Sequence, residues 1–248
     1  MRQIWTLCRK ELRLWTQKAG HWVVLPVVPM VLITVLGTAF SSSTPTAAIY
    51  VANPEMTPFQ TYIPGLSLMF VFFLATHLAA TVEDEREAGT LRRLLATPAS
   101  RSAILLGKLL PYLLLAIAQL VVLFSMCGAV FDVGIGDAPL ALGVVMVCAA
   151  ASVAGLGMMI AAVAKTKRQA VSVPTMVLIA MAIVSGCIGP HITVPGIKYA
   201  TPHYWALLGF QNVLVRGMGF SGVWLPSGIL LAFAVAFFTI GAQRFKFE

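Results

Sequence analysis

Six long apolar stretches alternate with short polar segments along the chain. Each stretch is close to the ~20 residues that an α-helix needs to cross a bilayer core of ~30 Å. The stretches are continuously apolar, whereas the strands of a membrane barrel alternate at every second position, so helices are favoured. The sequence predicts an all-α polytopic membrane protein. Its six transmembrane helices are predicted at 22–40, 61–82, 103–130, 139–164, 170–189 and 223–243.

Residues 1–20 have a different, amphipathic pattern. When residues 2–18 are placed on a helix at about 100° per residue, most apolar side chains fall in one sector and most basic ones opposite. A helix of this kind, with Trp and Leu facing basic residues, is typical of the membrane interface. Glu11 and Lys18 are out of place on the apolar sector, and a plain cytoplasmic helix is the alternative. The residues that define the two faces are Trp5 and Trp15 against Arg9 and Arg13.

Two further patterns concern the packing of the spans. Residues 190–222 are too apolar for a free loop and too often interrupted by proline for a span, which predicts a re-entrant or interfacial helical hairpin on the outer side. In the fourth span, small residues recur near four-residue spacing and let another helix approach closely. Packing within the subunit is the favoured interpretation. These small residues are Ala151, Gly155, Gly157 and Ala161.

Composition and charge set the class and the orientation. The chain is 59% hydrophobic and 10% charged, with a mean hydropathy of +0.89, against about 45–50% and about 25% in soluble domains. Fifteen of its 17 Lys and Arg residues fall on one side of the predicted spans, with Lys198 and Arg216 on the other. This bias predicts cytoplasmic N- and C-termini. The net charge of +8 is therefore interpreted as a topology signal, not as a nucleic-acid surface.

Charge is concentrated in residues 83–101, where nineteen residues carry eight charges. We predict a cytoplasmic helix at 84–100, since acidic residues come first and basic residues later, which suits the helix dipole. Pro98 ends this helix, and Ser100 or Ser102 caps the third span. An apolar ridge on the helix is predicted to dock on another protein. The ridge consists of Leu91, Leu94 and Leu95.

The sequence lacks the common nucleotide-binding and catalytic motifs. There is no GxxxxGK[ST] phosphate loop, HExxH or GxSxG, and the four cysteines have no CxxC spacing. No metal site is predicted. His77 lies within the second span, where an ionisable residue is a candidate for a transport pathway, although a neutral, hydrogen-bonded imidazole is the favoured alternative. All nine acidic residues lie near span ends or outside spans, which argues against an ion-coupled transporter.

The segment EREAGTLRRLLATPASRSAILLGKLLPY resembles the signature of type-2 ABC exporter permeases. The family pattern reads roughly E-x-G-T-x-x-x-L-x-x-T-P-[small]-S/T, followed by an apolar run into G-K. The resemblance extends to the six spans, the amphipathic N-terminal helix and the aromatic stretch before the last span. Arg92 departs from it, because many members carry an acidic residue there. The residues that match are Glu87, Gly89, Thr90, Leu94, Thr97, Pro98, Ser100, Gly107 and Lys108.

The resemblance implies a permease subunit and not an enzyme. Two copies of a separate ATPase would bind ATP and Mg²⁺, and this chain would need no cofactor. A second permease subunit, most simply an identical copy, would complete the pathway in a prokaryotic inner or plasma membrane. The cargo would be hydrophobic or amphipathic: a drug, lipid or glycolipid. The implied ATPase-coupling residues are Glu87, Gly89, Thr90, Leu91, Arg92, Leu94, Leu95, Thr97 and Pro98, and the pathway candidates are His77, Tyr204 and Trp205.

Three histidines motivate an alternative function. A membrane subunit that handles haem or another cofactor in cytochrome maturation could use His77, His191 and His203. A haem absorbance band on the purified protein would support this alternative. Function that persists after all three are replaced would exclude it.

Overall fold

The computed structural model describes residues 2–16, 19–41, 58–97, 100–131, 138–189 and 193–245. Within these residues the chain is helical and contains no strand, only an isolated β-bridge between Ser185 and Thr193. A 3₁₀ turn lies at Ile197–Ala200. The helices are α1 (Arg2–Thr16), α2 (Ala19–Ser41), α3 (Pro58–Phe72), α4 (Leu74–Glu87), α5 (Thr90–Leu95), α6 (Arg101–Phe131), α7 (Pro139–Val163), α8 (Lys167–Val184), α9 (Pro202–Leu214) and α10 (Phe220–Arg244).

Five helical segments of the described residues are long and apolar enough to cross a membrane. They correspond to the second to sixth predicted spans, and α3 and α4 together form the first of them, Tyr62–Glu87. The first predicted span, 22–40, lies on α2, a helix of 23 residues. The apolar part of α2 among the described residues is the shorter Pro26–Val35. Five spans are therefore confirmed as apolar helices of sufficient length, and the sixth stays a prediction.

The predicted coupling helix at 84–100 is corrected in its bounds. Helix α4 continues to Glu87, and a separate six-residue helix, α5, follows after a break at Gly89. Gly89 has φ of 66°, a left-handed conformation that costs glycine little and other residues more. The acidic residues thus lie at the C-terminus of α4, where the helix dipole disfavours them. Our dipole argument was wrong, and these carboxylates require basic partners.

At the end of the charged segment, one predicted detail is confirmed by the structure. The Ser100 hydroxyl accepts a hydrogen bond from the backbone N–H of Ala103 (3.2 Å), so it caps the start of α6 as predicted. Pro98, predicted to end the coupling helix, lies outside the described residues.

Helix α7 lies at the centre of the bundle. A Cβ on Gly155 would come within 2.7 Å of the Ala234 carbonyl oxygen on α10, and one on Gly157 within 2.9 Å of the Ala75 carbonyl oxygen on α4. Such distances leave no room for a side chain, so both neighbouring backbones touch α7 directly. The predicted packing of small residues within the subunit is confirmed at these two positions.

In 190–222, where we predicted two short helices, the described residues 193–219 contain one helix, α9, and one 3₁₀ turn. Thr201 caps α9 by accepting a hydrogen bond from the Tyr204 N–H (3.4 Å), and its hydroxyl lies 2.6 Å from that of Ser185. Phe210 is fully buried and stacks on Phe124 of α6, with ring centroids 5.0 Å apart. Helix α9 is therefore packed into the bundle, and its depth in the bilayer stays a prediction.

Candidate coupling site

The inner face of α5 is buried in the protein's own core. Leu91 is 1% exposed and belongs to the main hydrophobic cluster, against which Leu94 is partly packed. The side chain of Leu95 lies outside the described part of the chain. The predicted leucine ridge is thus corrected at Leu91: it anchors α5 to the spans and is not free to dock on a partner.

The outer face of the same segment is exposed and polar. Glu87, Arg92, Arg93 and Thr97 are all exposed, and we call these four residues the coupling face. The backbone beneath it is held by local hydrogen bonds. The Thr90 hydroxyl donates to the Glu85 carbonyl (3.1 Å), and the Thr97 hydroxyl donates to a carbonyl within α5 (2.6 Å). A polar surface with two arginines and one glutamate is therefore presented next to the bundle.

An ion cluster that is largely buried except at Lys10 joins α1, α4 and α6 close to the coupling face. The Lys108 ammonium is buried and pairs with Glu85 and, at 3.4 Å, with Glu11. Lys10 adds a further pair to Glu85 at 3.4 Å. We call these four residues the Lys108 cluster. Burial raises the pKa of the Glu11 carboxyl above its usual range, and the adjacent Lys108 ammonium partly offsets that rise.

The sequence contained a signal for this cluster that our reasoning missed. Glu11 interrupts the apolar sector of the N-terminal helix, and Lys108 interrupts the apolar run of the third span. Charged residues are almost never buried unless they are paired. Two opposite charges, each out of place on an apolar face, could therefore have been predicted to meet.

Helix α1 packs against α6 through an arc that overlaps the predicted apolar sector at Leu7 but is shifted toward Cys8 and Glu11. Cys8 and Glu11 are buried, and a Cβ on Gly107 would come within 2.7 Å of the Leu7 Cβ. Trp5, by contrast, is 61% exposed. Most of the predicted basic positions are exposed as well. Interfacial binding stays a prediction for the outward face. Of its four proposed residues, Trp5, Arg9 and Arg13 are exposed, whereas the Trp15 side chain lies outside the described residues.

Arg86 ties the end of α4 to the ends of two other helices. Its guanidinium donates hydrogen bonds to the carbonyl oxygens of Ala161 (3.0 Å) and Ala164 (3.3 Å). The Ala161 carbonyl belongs to the last turn of α7, where it lacks a helical partner and carries partial negative charge, and Ala164 is the extended residue that follows the helix. Arg86 also pairs with Glu83 and lies 4.9 Å from the ring centroid of Phe245, just after α10. Sequence reasoning assigned no role to Arg86.

These contacts determine what the site can do physically. Helix α5 is joined to α4 by two residues, and α4 is held by buried charges to α1, α6 and α7. Pulling apart one such pair leaves an uncompensated buried charge, which costs about 3–5 kcal/mol. A displacement of α5 would therefore move the adjoining parts of α1, α4, α6 and α7 together rather than break the ion pairs and hydrogen bonds that join them.

The pathway candidates do not form one site in the structure. Tyr204 and Trp205 belong to one aromatic group with Tyr199, whose carbonyl accepts a hydrogen bond from the Trp205 indole (2.9 Å). The Lys198 ammonium lies 5.0 Å from the Tyr204 ring centroid. His77 is an exposed residue of a different helix, α4.

The histidines of the cofactor alternative are also dispersed. His203 is fully buried and stacked on Phe72, with ring centroids 3.9 Å apart, so a bulky cofactor could not reach it. His191 lies outside the described residues. Among the residues that are described, no three His, Cys, Asp or Glu side chains converge as a metal site would require.

Replacing Leu91 with alanine is expected to destabilise the permease by about 2 kcal/mol, because buried contacts of the side chain are lost. The midpoint of thermal unfolding in detergent measures this loss. Arg92→Ala, one residue further on, is the matched control and should change stability by no more than about 0.5 kcal/mol. Equal effects of the two variants would contradict the inward orientation of Leu91.

Comparison with known proteins identifies the family of the chain. The chain is 29% identical to the linearmycin resistance permease protein LnrN of Bacillus subtilis over 186 residues, 73% of this chain and 48% of that protein. It is 30% identical to the inner membrane transport permease YhhJ of Escherichia coli over 171 residues, 65% of this chain and 45% of that protein. The chain thus spans about half the length of these relatives. The model of the ABC-2 type transporter family matches residues 2–215, and the chain therefore belongs to the ABC-2 type transporter membrane family.

Proposed function

We propose that the chain is the permease subunit of an ABC exporter, driven by ATP hydrolysis on a separate ATPase. The observation that carries this proposal is α5, which has a buried apolar anchor at Leu91 and carries the two exposed arginines of the coupling face, Arg92 and Arg93. In this proposal the coupling face contacts the ATPase, and the Lys108 cluster and Arg86 transmit its movement to the spans. Two ATPase subunits, each with ATP and Mg²⁺, would serve two copies of this chain.

The proposed cargo is a hydrophobic or amphipathic compound: a drug, lipid or glycolipid. One relative is named for resistance to linearmycin, which supports a role in exporting toxic compounds. The aromatic group of Tyr199, Tyr204 and Trp205, near the outer end of the bundle, is a candidate for contact with cargo as it leaves. His77 is a second candidate, since it is exposed on a span whose other side is packed.

The proposed orientation has both termini and the coupling face in the cytoplasm of a prokaryotic cell, with the spans in its inner or plasma membrane. The bias of Lys and Arg toward one side of the spans supports this orientation. Cysteine labelling of single positions in intact cells measures it directly. A cysteine that replaces Arg93 should be protected from an impermeant thiol reagent, and a cysteine that replaces Lys198 should react with it.

Reversing the charge of Arg92 and Arg93 together is the experiment that tests the coupling role. The permease carrying Arg92→Glu and Arg93→Glu should be made and inserted normally, because both side chains are exposed. It should bind its ATPase at least tenfold more weakly, since like or unpaired charges at an interface cost several kcal/mol. Co-purification and the ATP hydrolysis rate of the complex in vesicles measure the loss.

The control for this experiment is Arg244→Glu, an exposed basic residue at the end of α10, outside the coupling face. The Arg244→Glu permease should keep its ATPase. If the double variant also assembled and hydrolysed ATP at the wild-type rate, the proposed coupling face would be wrong.

A further inference from the structure

Two tyrosine rings near the outer end of the bundle hold one ammonium group between them. Tyr199 lies on the 3₁₀ turn and Tyr204 on the first turn of α9. Their ring centroids are 5.0 Å apart, with the ring planes at 80°. The Lys198 ammonium lies 5.2 Å from the first centroid and 5.0 Å from the second. One cation therefore faces both rings, which we call the tyrosine pair.

The tyrosine pair is fixed by groups other than Lys198. The Trp205 indole donates a hydrogen bond to the Tyr199 carbonyl (2.9 Å), and its ring packs edge-on against the Tyr204 ring, with centroids 5.3 Å apart. The Thr201 hydroxyl, which caps α9, lies 2.6 Å from the Ser185 hydroxyl and joins this segment to α8. The two rings thus keep their arrangement whatever cation lies against them.

The Lys198 ammonium, by contrast, is not fixed by ion pairing. Within the part of the chain that the structure describes, its charged end contacts the two rings and forms no ion pair. A lysine ammonium sits on a flexible stem of four carbons. The site is also open to solvent, since Tyr199 is 50% exposed and Tyr204 and Lys198 are partly exposed. Lys198 is therefore free to turn away and leave both rings to another cation.

We propose that the tyrosine pair binds an organic cation, and that the Lys198 ammonium occupies the same place when no such cation is bound. Aromatic rings attract quaternary ammonium groups through their negative faces. A neutral compound lacks this attraction. Taking the cation as part of the cargo rests on the proposed export function, and the cargo is then a positively charged amphipathic compound.

Competition by the tethered ammonium is tested with Lys198→Gln. The purified permease, without any ATPase, is titrated in dodecyl maltoside against berberine, an aromatic quaternary ammonium compound whose fluorescence reports binding. Lys198→Gln should bind berberine about tenfold more tightly than the wild type, because the rings are vacated. Dihydroberberine, the uncharged reduced form, should show no such gain. An equal gain for both compounds, or no binding of berberine to Lys198→Gln, would overturn the proposal.

Arg216→Gln is the matched control for the lost charge. Arg216 is exposed just after α9, acts electrostatically on Tyr204, and donates a hydrogen bond to the Asn212 side-chain oxygen (2.6 Å). Its removal takes the same formal charge from this end of the protein but leaves Lys198 on the rings. The affinity for berberine should rise by no more than about twofold, since exposed charges are screened by salt. A gain as large as that of Lys198→Gln would reduce the effect to surface charge and overturn the proposal.

The rings are tested by two substitutions of Tyr204 in the Lys198→Gln permease. Tyr204→Phe keeps the aromatic face and should keep the affinity for berberine, whereas Tyr204→Leu should lose about tenfold. Tyr199→Leu should cause a similar loss from the 3₁₀ turn, which lies outside α9. Equal binding by the Phe and Leu variants of Tyr204 would show that the rings do not hold the cation.

A choline headgroup is a second source of an organic cation, and added lipid distinguishes it from cargo. Phosphatidylcholine should not displace berberine from Lys198→Gln more than phosphatidylglycerol does. Preferential displacement by phosphatidylcholine would assign the tyrosine pair to a lipid headgroup and overturn the cargo assignment. Because these measurements contain no ATPase, their failure would leave the coupling face intact, and failure of the Arg92 and Arg93 experiment would leave the measured cation binding intact.

Discussion

Permease carrying Lys108→Met is expected to unfold about 10 °C below the wild type in detergent. The substitution keeps the length and apolar stem of the side chain but removes the only cation that contacts Glu11 among the described residues, and one of two that contact Glu85. Leaving buried carboxylates uncompensated costs about 3–5 kcal/mol. A loss of this size corresponds to roughly 10 °C for a chain of this length. Static light scattering or fluorescence during heating measures the transition.

The dependence of this loss on pH identifies its cause. The Glu11 pKa is already raised by burial, and loss of the Lys108 charge would raise it further. Protonation of Glu11 then removes the uncompensated charge, so the difference between Lys108→Met and the wild type should shrink as the pH falls. Adding Glu85→Gln to Lys108→Met should restore part of the lost stability at neutral pH, because one buried charge is removed.

Lys167→Met provides the matched control for Lys108. Lys167 also pairs with a carboxylate on α4, that of Asp84, but the two side chains are 54% and 43% exposed. A pair exposed to this degree contributes about 0–1 kcal/mol, so its loss should barely change the midpoint. If Lys108→Met were as stable as Lys167→Met, the Lys108 cluster would not hold α1 and α4 together.

Permease carrying Gly65→Ala is expected to lose about 3 kcal/mol or more of stability. A Cβ at position 65 would overlap the carbonyl oxygen of Cys187, in the turn that follows α8. The contact is with backbone, which cannot rotate away, so α3 and this turn would have to separate. Thermal unfolding measures the stability, and limited proteolysis after α8 reports whether the turn has detached.

Gly143→Ala is the control for this substitution. Gly143 lies within α7, and a Cβ there would meet no atom within 4 Å. Alanine is favoured over glycine in a helix interior by about 1 kcal/mol, so Gly143→Ala should be neutral or stabilising. A Gly65→Ala permease that behaved like Gly143→Ala would show that α3 does not touch the Cys187 turn.

The positions of the spans could be predicted from sequence because their signal is local. About 20 consecutive apolar residues identify a membrane helix without knowledge of its neighbours, and five of the six predicted spans have matching helices. The cap at Ser100 was predicted for the same reason, since it acts three residues away. The family motif likewise depends on adjacent residues and was read directly.

The interpretation of the charged segment failed because it depended on neighbours in space. The acidic residues at 83–87 suggest the start of a helix, yet α4 continues through them. It can do so because Lys108, Arg86 and Lys167 each pair with one of these carboxylates. Leu91 was assigned to a partner because a lone short helix would expose it, whereas the core of this subunit covers it. Of these partners only Arg86 lies within the segment; Lys108, Lys167 and the core residues lie elsewhere in the chain.

The sequence by itself therefore determined the class, five of the six predicted spans and the family, each of which is written in the order of neighbouring residues. Tertiary structure decided which charges pair, which face of α5 is exposed, and which neighbours enclose the small residues Gly155 and Gly157 of α7. Apolar spans look alike around their circumference, so their rotation is set by close contacts between helices. Those contacts join residues as far apart as Glu11 and Lys108, and only the folded chain brings them together.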